Sequence, residues 1–151
     1  MSKSEGLLRV TIAYVIALFL GGASLYLLDH GPLLDVFIAD LVATAVIFVF
    51  SRAYGNSRFY DAYWSVVPPF IALYWLAVGA GSSPPLRELL VLGLILYWAT
   101  RLTLNWAYYW EGMQHEDWRY VILRNKAPRW ALLTDLVGIH LFPTLQVFAG
   151  L

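Results

Sequence analysis

The apolar positions of this chain fall into long runs rather than alternating stripes, and short polar turns punctuate them. The first run extends from Leu7 to Leu28 and stops at Asp29-His30-Gly31-Pro32. The second, Leu33 to Phe50, is interrupted by Asp35 and Asp40 and closes at Ser51-Arg52 and the Gly55-Asn56-Ser57 turn. The third, Tyr60 to Ala80, carries Pro68-Pro69 near its middle, and the loop Gly81-Ser82-Ser83-Pro84-Pro85 follows it. The fourth runs from Leu86 to about Tyr109 and contains Arg101. A polar segment, Glu111 to Arg129, separates it from a fifth run, Trp130 to Leu151. A membrane-spanning helix needs about 20 mostly apolar residues. The pattern therefore predicts an all-α polytopic bundle of about five spanning helices forming one membrane domain. The Glu111–Arg129 segment, with Trp118, Tyr120, Val121, Ile122 and Leu123, reads as lying on the membrane interface.

Composition sharpens this picture. The chain of 151 residues is 60% hydrophobic and 13% charged, where a soluble domain is roughly half apolar and about a quarter charged. The fold class this implies is an integral membrane protein in a lipid bilayer. The formal net charge is zero, which removes the electrostatic footprint of a nucleic-acid binder. The chain has no cysteine, so disulfide and thiolate chemistry are excluded. The first run has no small-residue cleavage site behind it and reads as a retained anchor. Lys3, Arg9, Arg52, Arg58, Arg119, Arg124, Lys126 and Arg129 fall on the side of the N-terminus and Arg87 on the other, which predicts a cytoplasmic N-terminus.

Ionisable groups at membrane depth are costly, so the few present are candidates for function. Asp61, at the start of the third run, has two readings: a carboxylate satisfying free donors at a helix start, or an acid, kept protonated near neutral pH by an apolar site, that holds a polar group of a bound molecule. On the fourth run Tyr97, Arg101, Asn105 and Tyr108 recur at helical spacing. Arg101 stays charged, so it calls either for an ion pair with Asp61, Asp40 or Asp135 or for an anion contact to a cofactor or lipid. Trp98 lies one position off that face. Glu116-Asp117-Trp118-Arg119-Tyr120 reads either as an interfacial loop held by its own ion pairs or as a lid over a cavity. His115 and His140 match no metal-ligand spacing, and neither a Gly-rich phosphate loop nor a serine elbow is present.

Asn56-Ser57, Tyr60-Asp61, Trp64 and Pro68, then Arg101-Leu102-Thr103-Leu104-Asn105, then Glu116-Asp117-Trp118-Arg119-Tyr120, together resemble the bacterial branch of the steroid 5-alpha-reductase family, from Asn56 to the end of the chain. The resemblance implies a bacterial inner-membrane oxidoreductase. Such an enzyme uses NADPH to reduce a carbon–carbon double bond conjugated to a ketone in a lipophilic, steroid-like substrate. It implies Asp61 as the carboxyl group that holds the ketone, with Tyr97 or Trp98 polarising it. Tyr60 and Trp64 would contact the substrate, and Arg101 and Asn105 the cofactor. The animal enzymes have a Gln-Glu pair where this chain has Tyr60-Asp61, and a Tyr three residues before the Arg where it has Trp98. The family's later Arg-His-Pro-x-Tyr segment does not occur here. By resemblance the chain is thus the N-terminal, substrate-side part of a longer protein whose partner is the missing C-terminal half, or which self-associates. Two rivals remain: a membrane methyltransferase of the isoprenylcysteine type, using S-adenosylmethionine, and a non-catalytic helical module whose polar groups only fix packing.

Overall fold

The computed structural model describes residues 2–79 and 84–151. Within them every regular element is helical: α1 (Lys3–Leu25), α2 (Pro32–Tyr54), α3 (Tyr63–Val78), α4 (Pro85–Tyr108), α5 (Trp118–Lys126) and α6 (Pro128–Ala149). Four of these, α1, α2, α4 and α6, are long and apolar enough to cross a membrane. The chain is an integral membrane protein, an all-α polytopic bundle.

Local chemistry sets the helix ends. Ser2 and Glu5 form a reciprocal cap at the start of α1, the Glu5 amide donating to Ser2 Oγ (3.2 Å) and the Ser2 amide to Glu5 Oε2 (3.0 Å). Pro32 opens α2, and Gly55 ends it in the left-handed region at φ 61°, a conformation that a side chain would strain. Asp117 caps α5 by accepting from the Arg119 amide (2.8 Å). α1 and α2 share the most extensive helix contact, and α3 with α4 the next. Small residues allow the first: a Cβ on Gly21 would lie 2.9 Å from the Ala39 carbonyl oxygen.

The third apolar run differs from its expected form. It is not one helix from Tyr60: a 3₁₀ turn, Ser57–Phe59, and an irregular turn over Tyr60–Ala62 precede a 16-residue α3. At 1.5 Å per residue α3 reaches about 24 Å, short of the roughly 30 Å hydrocarbon layer. The expected end of that run at Ala80, and the loop residues Gly81–Ser83, lie outside the described residues. Pro68 and Pro69 sit within α3 without ending it. The last apolar run also departs from a plain α-helix, because α6 widens to a π-helical stretch over Thr134–Leu141. His140 Nδ1 lies 2.8 Å from the Asp135 carbonyl oxygen, and Thr144 Oγ1 donates to the His140 carbonyl (2.9 Å), so polar side chains bond to backbone acceptors along the wide turn.

A buried hydroxyl cluster ties this turn to the body. Tyr60 Oη lies 2.7 Å and Thr44 Oγ1 3.1 Å from Thr144 Oγ1, and His140 Nε2 lies 3.0 Å from Ser51 Oγ. Interhelical hydrogen bonds of this kind hold bundles together where helix burial gains little over lipid.

Candidate active site

Two loops meet at one end of the bundle, and the reason is in Asn56 and Ser57. The buried Asn56 side chain donates to the Met113 (2.8 Å) and His115 (3.1 Å) carbonyls, while its own oxygen accepts from the Arg58 amide (2.9 Å). The Ser57 amide donates to Glu116 Oε1 (3.0 Å). Arg124, on α5, forks onto both Glu116 oxygens (2.6 and 2.7 Å) and also reaches Ser57 Oγ (2.7 Å) and the buried Asp135. Arg52 completes the cluster by donating to Asp135 (3.0 Å). The segment between α4 and α5 is thereby pinned beside the turn before α3, and α5 lies across it.

Between them lies a cavity of about 630 Å³. Its wall includes Tyr60, Asp61 and Trp64 from the turn and α3, Asn105 and Trp106 from α4, and Arg119 and Tyr120 from α5. The widened turn of α6 adds Gly138 and Ile139. Asp61 is the focus of its polar wall. The Tyr120 hydroxyl donates to Asp61 Oδ1, and Arg58 Nε lies 3.5 Å from Oδ2. Arg58 in turn rests on the Trp110 ring, 4.9 Å from its centroid. Burial pushes the Asp61 carboxyl up to about 6, against the Tyr120 hydrogen bond and the Arg58 charge, which pull it down. Burial, and then the Asp61 charge, drive the Tyr120 phenol far above its ordinary value. Asp61 is therefore mostly ionised at neutral pH and mostly protonated below pH 6, rather than simply held protonated.

Asp117 and Arg119 are also on the wall but are spent on each other, the guanidinium straddling the carboxylate at 2.6–3.1 Å. Arg119 holds Asp117 below the usual carboxylate range.

The residues singled out in sequence divide in two. Tyr60, Asp61, Trp64 and Asn105 share this cavity. Tyr97, Trp98 and Arg101 do not line it. Tyr97 is 70% exposed on the outer face of α4, Arg101 is exposed, and Trp98 packs edge-on against Trp64 at 5.8 Å. The physical reason is that α4 touches the bundle along a narrow strip, with Ala99 its one buried residue, so the face through Tyr97 and Arg101 points away. None of the ion pairs considered for Arg101 forms: Asp61 takes Arg58, Asp135 takes Arg52 and Arg124, and Asp40 takes the Tyr63 hydroxyl. Asp61 does not cap α3 either, since Ala62 occupies that position. The phenol that reaches Asp61 comes instead from Tyr120, which sequence reasoning placed in an interfacial loop or lid. The signal was available only in part: Tyr120 stands three residues after Asp117, which caps the short helix α5.

The chain belongs to the family described as "protein of unknown function (DUF1295)", whose model matches residues 47–149. Comparison with curated proteins and with solved structures found no match.

Proposed function

We propose that this member of the DUF1295 family forms the carbonyl-binding part of a membrane-embedded reductase. Its substrate would be a flat lipophilic molecule, steroid-like in shape, whose carbon–carbon double bond is conjugated to a ketone. The observation that carries this reading is the hydrogen bond between Tyr120 and Asp61 on the wall of a cavity whose other side carries the apolar and aromatic groups of Trp64, Leu102, Trp106 and Ile139. Counting hydrogens makes it chemical. With Asp61 protonated the pair holds two hydrogens; one bridges the two oxygens and the other is free to donate into the cavity. With Asp61 ionised a single hydrogen remains, and it is used internally. The protonated pair can thus hold a ketone oxygen and stabilise the negative charge that grows there as the conjugated double bond is reduced, as an oxyanion hole does. Tyr60 and Trp64 offer flat faces beside it, and Asn105 adds a second polar contact.

NADPH, the cofactor that the family resemblance implies, does not fit the described residues at its phosphates. The two guanidiniums on the cavity wall, Arg58 and Arg119, are both engaged with carboxylates, and Arg101 lies outside. The charges on the wall nearly cancel, where a dinucleotide phosphate needs a surplus of cations. We therefore assign to this chain the ketone and not the cofactor, in keeping with a substrate-side part whose hydride donor is held elsewhere. The end of the bundle that gathers Lys3, Arg52, Arg58, Arg119 and Arg124 would face the cytoplasm of a bacterial inner membrane.

The test is to express the protein in bacterial membranes and supply a steroid 4-en-3-one with either NADPH or S-adenosylmethionine. The expected result is a shift of the conjugated absorbance on binding that is absent in Asp61→Leu, with NADPH consumed only where the part that holds the cofactor is also present. Methyl transfer from S-adenosylmethionine would establish the methyltransferase rival. Failure of any enone to bind would leave the packing module as the correct description.

A further inference from the structure

A second cavity, of about 360 Å³, lies between α1, α2 and α3, within the size range of small-molecule sites. It shares no lining residue with the first. Leu18, Leu25, Val36 and Ile71 contribute to its apolar wall. Phe19 and Phe70, which also line it, are 71% and 51% exposed on the outer surface of the bundle, so the cavity opens toward lipid. Into this wall α2 places one carboxyl group. Asp40 is 6% exposed, and its Oδ1 accepts from the Tyr63 hydroxyl at 3.3 Å. Its Oδ2 has no hydrogen-bond partner among the described residues. A carboxyl oxygen left unsatisfied in apolar surroundings is costly, and a ligand that satisfies it gains that cost back.

We propose that this cavity binds an uncharged lipophilic alcohol, its hydrocarbon body against the apolar wall and its hydroxyl on Asp40. The chemistry selects the alcohol. A hydroxyl both donates and accepts, so it matches Asp40 in either protonation state; a ketone matches only the acid and a charged ammonium only the carboxylate. The acyl chain of a bilayer lipid, the competing occupant, would use the wall and leave Asp40 unmatched. Gly22 provides a structural handle. It lines the cavity, and a Cβ there would meet nothing within 4 Å, so a large side chain can fill the space without displacing backbone.

The experiment is photolabelling of the whole protein in nanodiscs with hexadecanol carrying a diazirine. Labelling should map to Leu18–Leu25 and Val67–Tyr74. Unlabelled hexadecanol should displace it roughly tenfold better than hexadecane or methyl hexadecanoate, which lack the donor. Asp40→Leu should reduce labelling by about the same factor, while Asp40→Asn, which keeps a donor and an acceptor, should retain most of it. Gly22→Trp should abolish labelling without altering the unfolding temperature or enone binding in the first cavity. Equal displacement by hexadecane, or undiminished labelling of a folded Asp40→Leu, would overturn the proposal in favour of a lipid-chain groove. Should Asp40→Leu fail to fold, the three competitors and Gly22→Trp decide the matter alone.

Discussion

Asp61 and Glu116 lie on neighbouring loops at the same end of the bundle, both are carboxylates, and both are largely sheltered, yet they do opposite things. Glu116 receives a guanidinium fork and a backbone amide; burial alone would raise its pKa, but the Arg124 hydrogen bonds and the Ser57 amide outweigh burial and lower it. Asp61 receives a phenol and a more distant guanidinium, and burial wins. The difference teaches that in this protein the donor decides the role. A carboxylate given a cation in bidentate contact becomes a fixed strut, and one given only a neutral hydroxyl stays titratable and available to a ligand.

The comparison can be broken most forcefully at Arg124. Replacing it with Leu removes the fork from Glu116 and one of the two cations from the buried Asp135. Breaking a buried pair on one side is expected to cost about 3 kcal/mol, read by denaturant unfolding in detergent. A loss below about 0.5 kcal/mol, the range of ordinary surface changes, would show that the cluster is not a strut.

The next effect is a slope of stability against pH. The folded Asp61 carboxyl titrates near 6 and an unfolded one near 3.9, so the folded protein holds the extra proton between them. The stabilisation is complete below about pH 4 and is lost as pH rises through about 6, an effect on the order of 3 kcal/mol. Glu116 acts with the reverse sign, because its lowered pKa gives stability that is present above the unfolded value and lost as pH falls below about 4. Unfolding free energy measured from pH 4 to pH 7 should therefore decline, and Asp61→Asn should flatten that decline without changing the acid limb that Glu116 contributes to.

Tyr120→Phe comes third. It removes one buried hydroxyl bond, a cost of about 1 kcal/mol in thermal or denaturant unfolding, and leaves protonated Asp61 as the sole donor, so ketone polarisation should persist to a higher pH than in the parent while the Arg124 cluster stays intact. Tyr97→Phe is the smallest: within about 0.5 kcal/mol of the parent, with ketone binding unchanged, because this phenol faces away from the cavity. A strong ketone-binding defect in Tyr97→Phe would return the polarising role to α4.

Much of the frame was legible. Hydropathy alone located α1, α2, α4 and α6 to within a few residues, since a lipid solvent makes long apolar runs nearly sufficient evidence. Tyr60, Asp61, Trp64 and Asn105, four of the residues singled out in sequence, line one cavity. What hydropathy could not give was rotation. Tyr97, Arg101 and Asn105 recur at helical spacing, yet eight residues of α-helix rotate the face by about 80°, so Asn105 reaches the cavity wall and the other two do not. The π-helical turn of α6 was hidden because the contacts that accompany it, His140 to the Asp135 carbonyl and to Ser51 on α2, depend on tertiary burial and not on local sequence. Tyr120 was missed because its helix is short and polar, and only the Asn56 and Arg124 contacts bring it over the cavity.

The central claim is that the protonated Asp61–Tyr120 pair donates to a bound ketone, and the infrared stretch of that ketone tests it most directly. An isotope-edited steroid 4-en-3-one bound to the protein should show its carbonyl band lowered in frequency at pH 5. Its affinity should weaken about tenfold per pH unit above the midpoint as the competent form becomes scarce. Asp61→Leu should restore the unperturbed band, and Tyr120→Phe should keep it lowered and move its midpoint to higher pH. A bound enone whose carbonyl band matches that in hydrocarbon, at every pH from 5 to 8, would contradict the account.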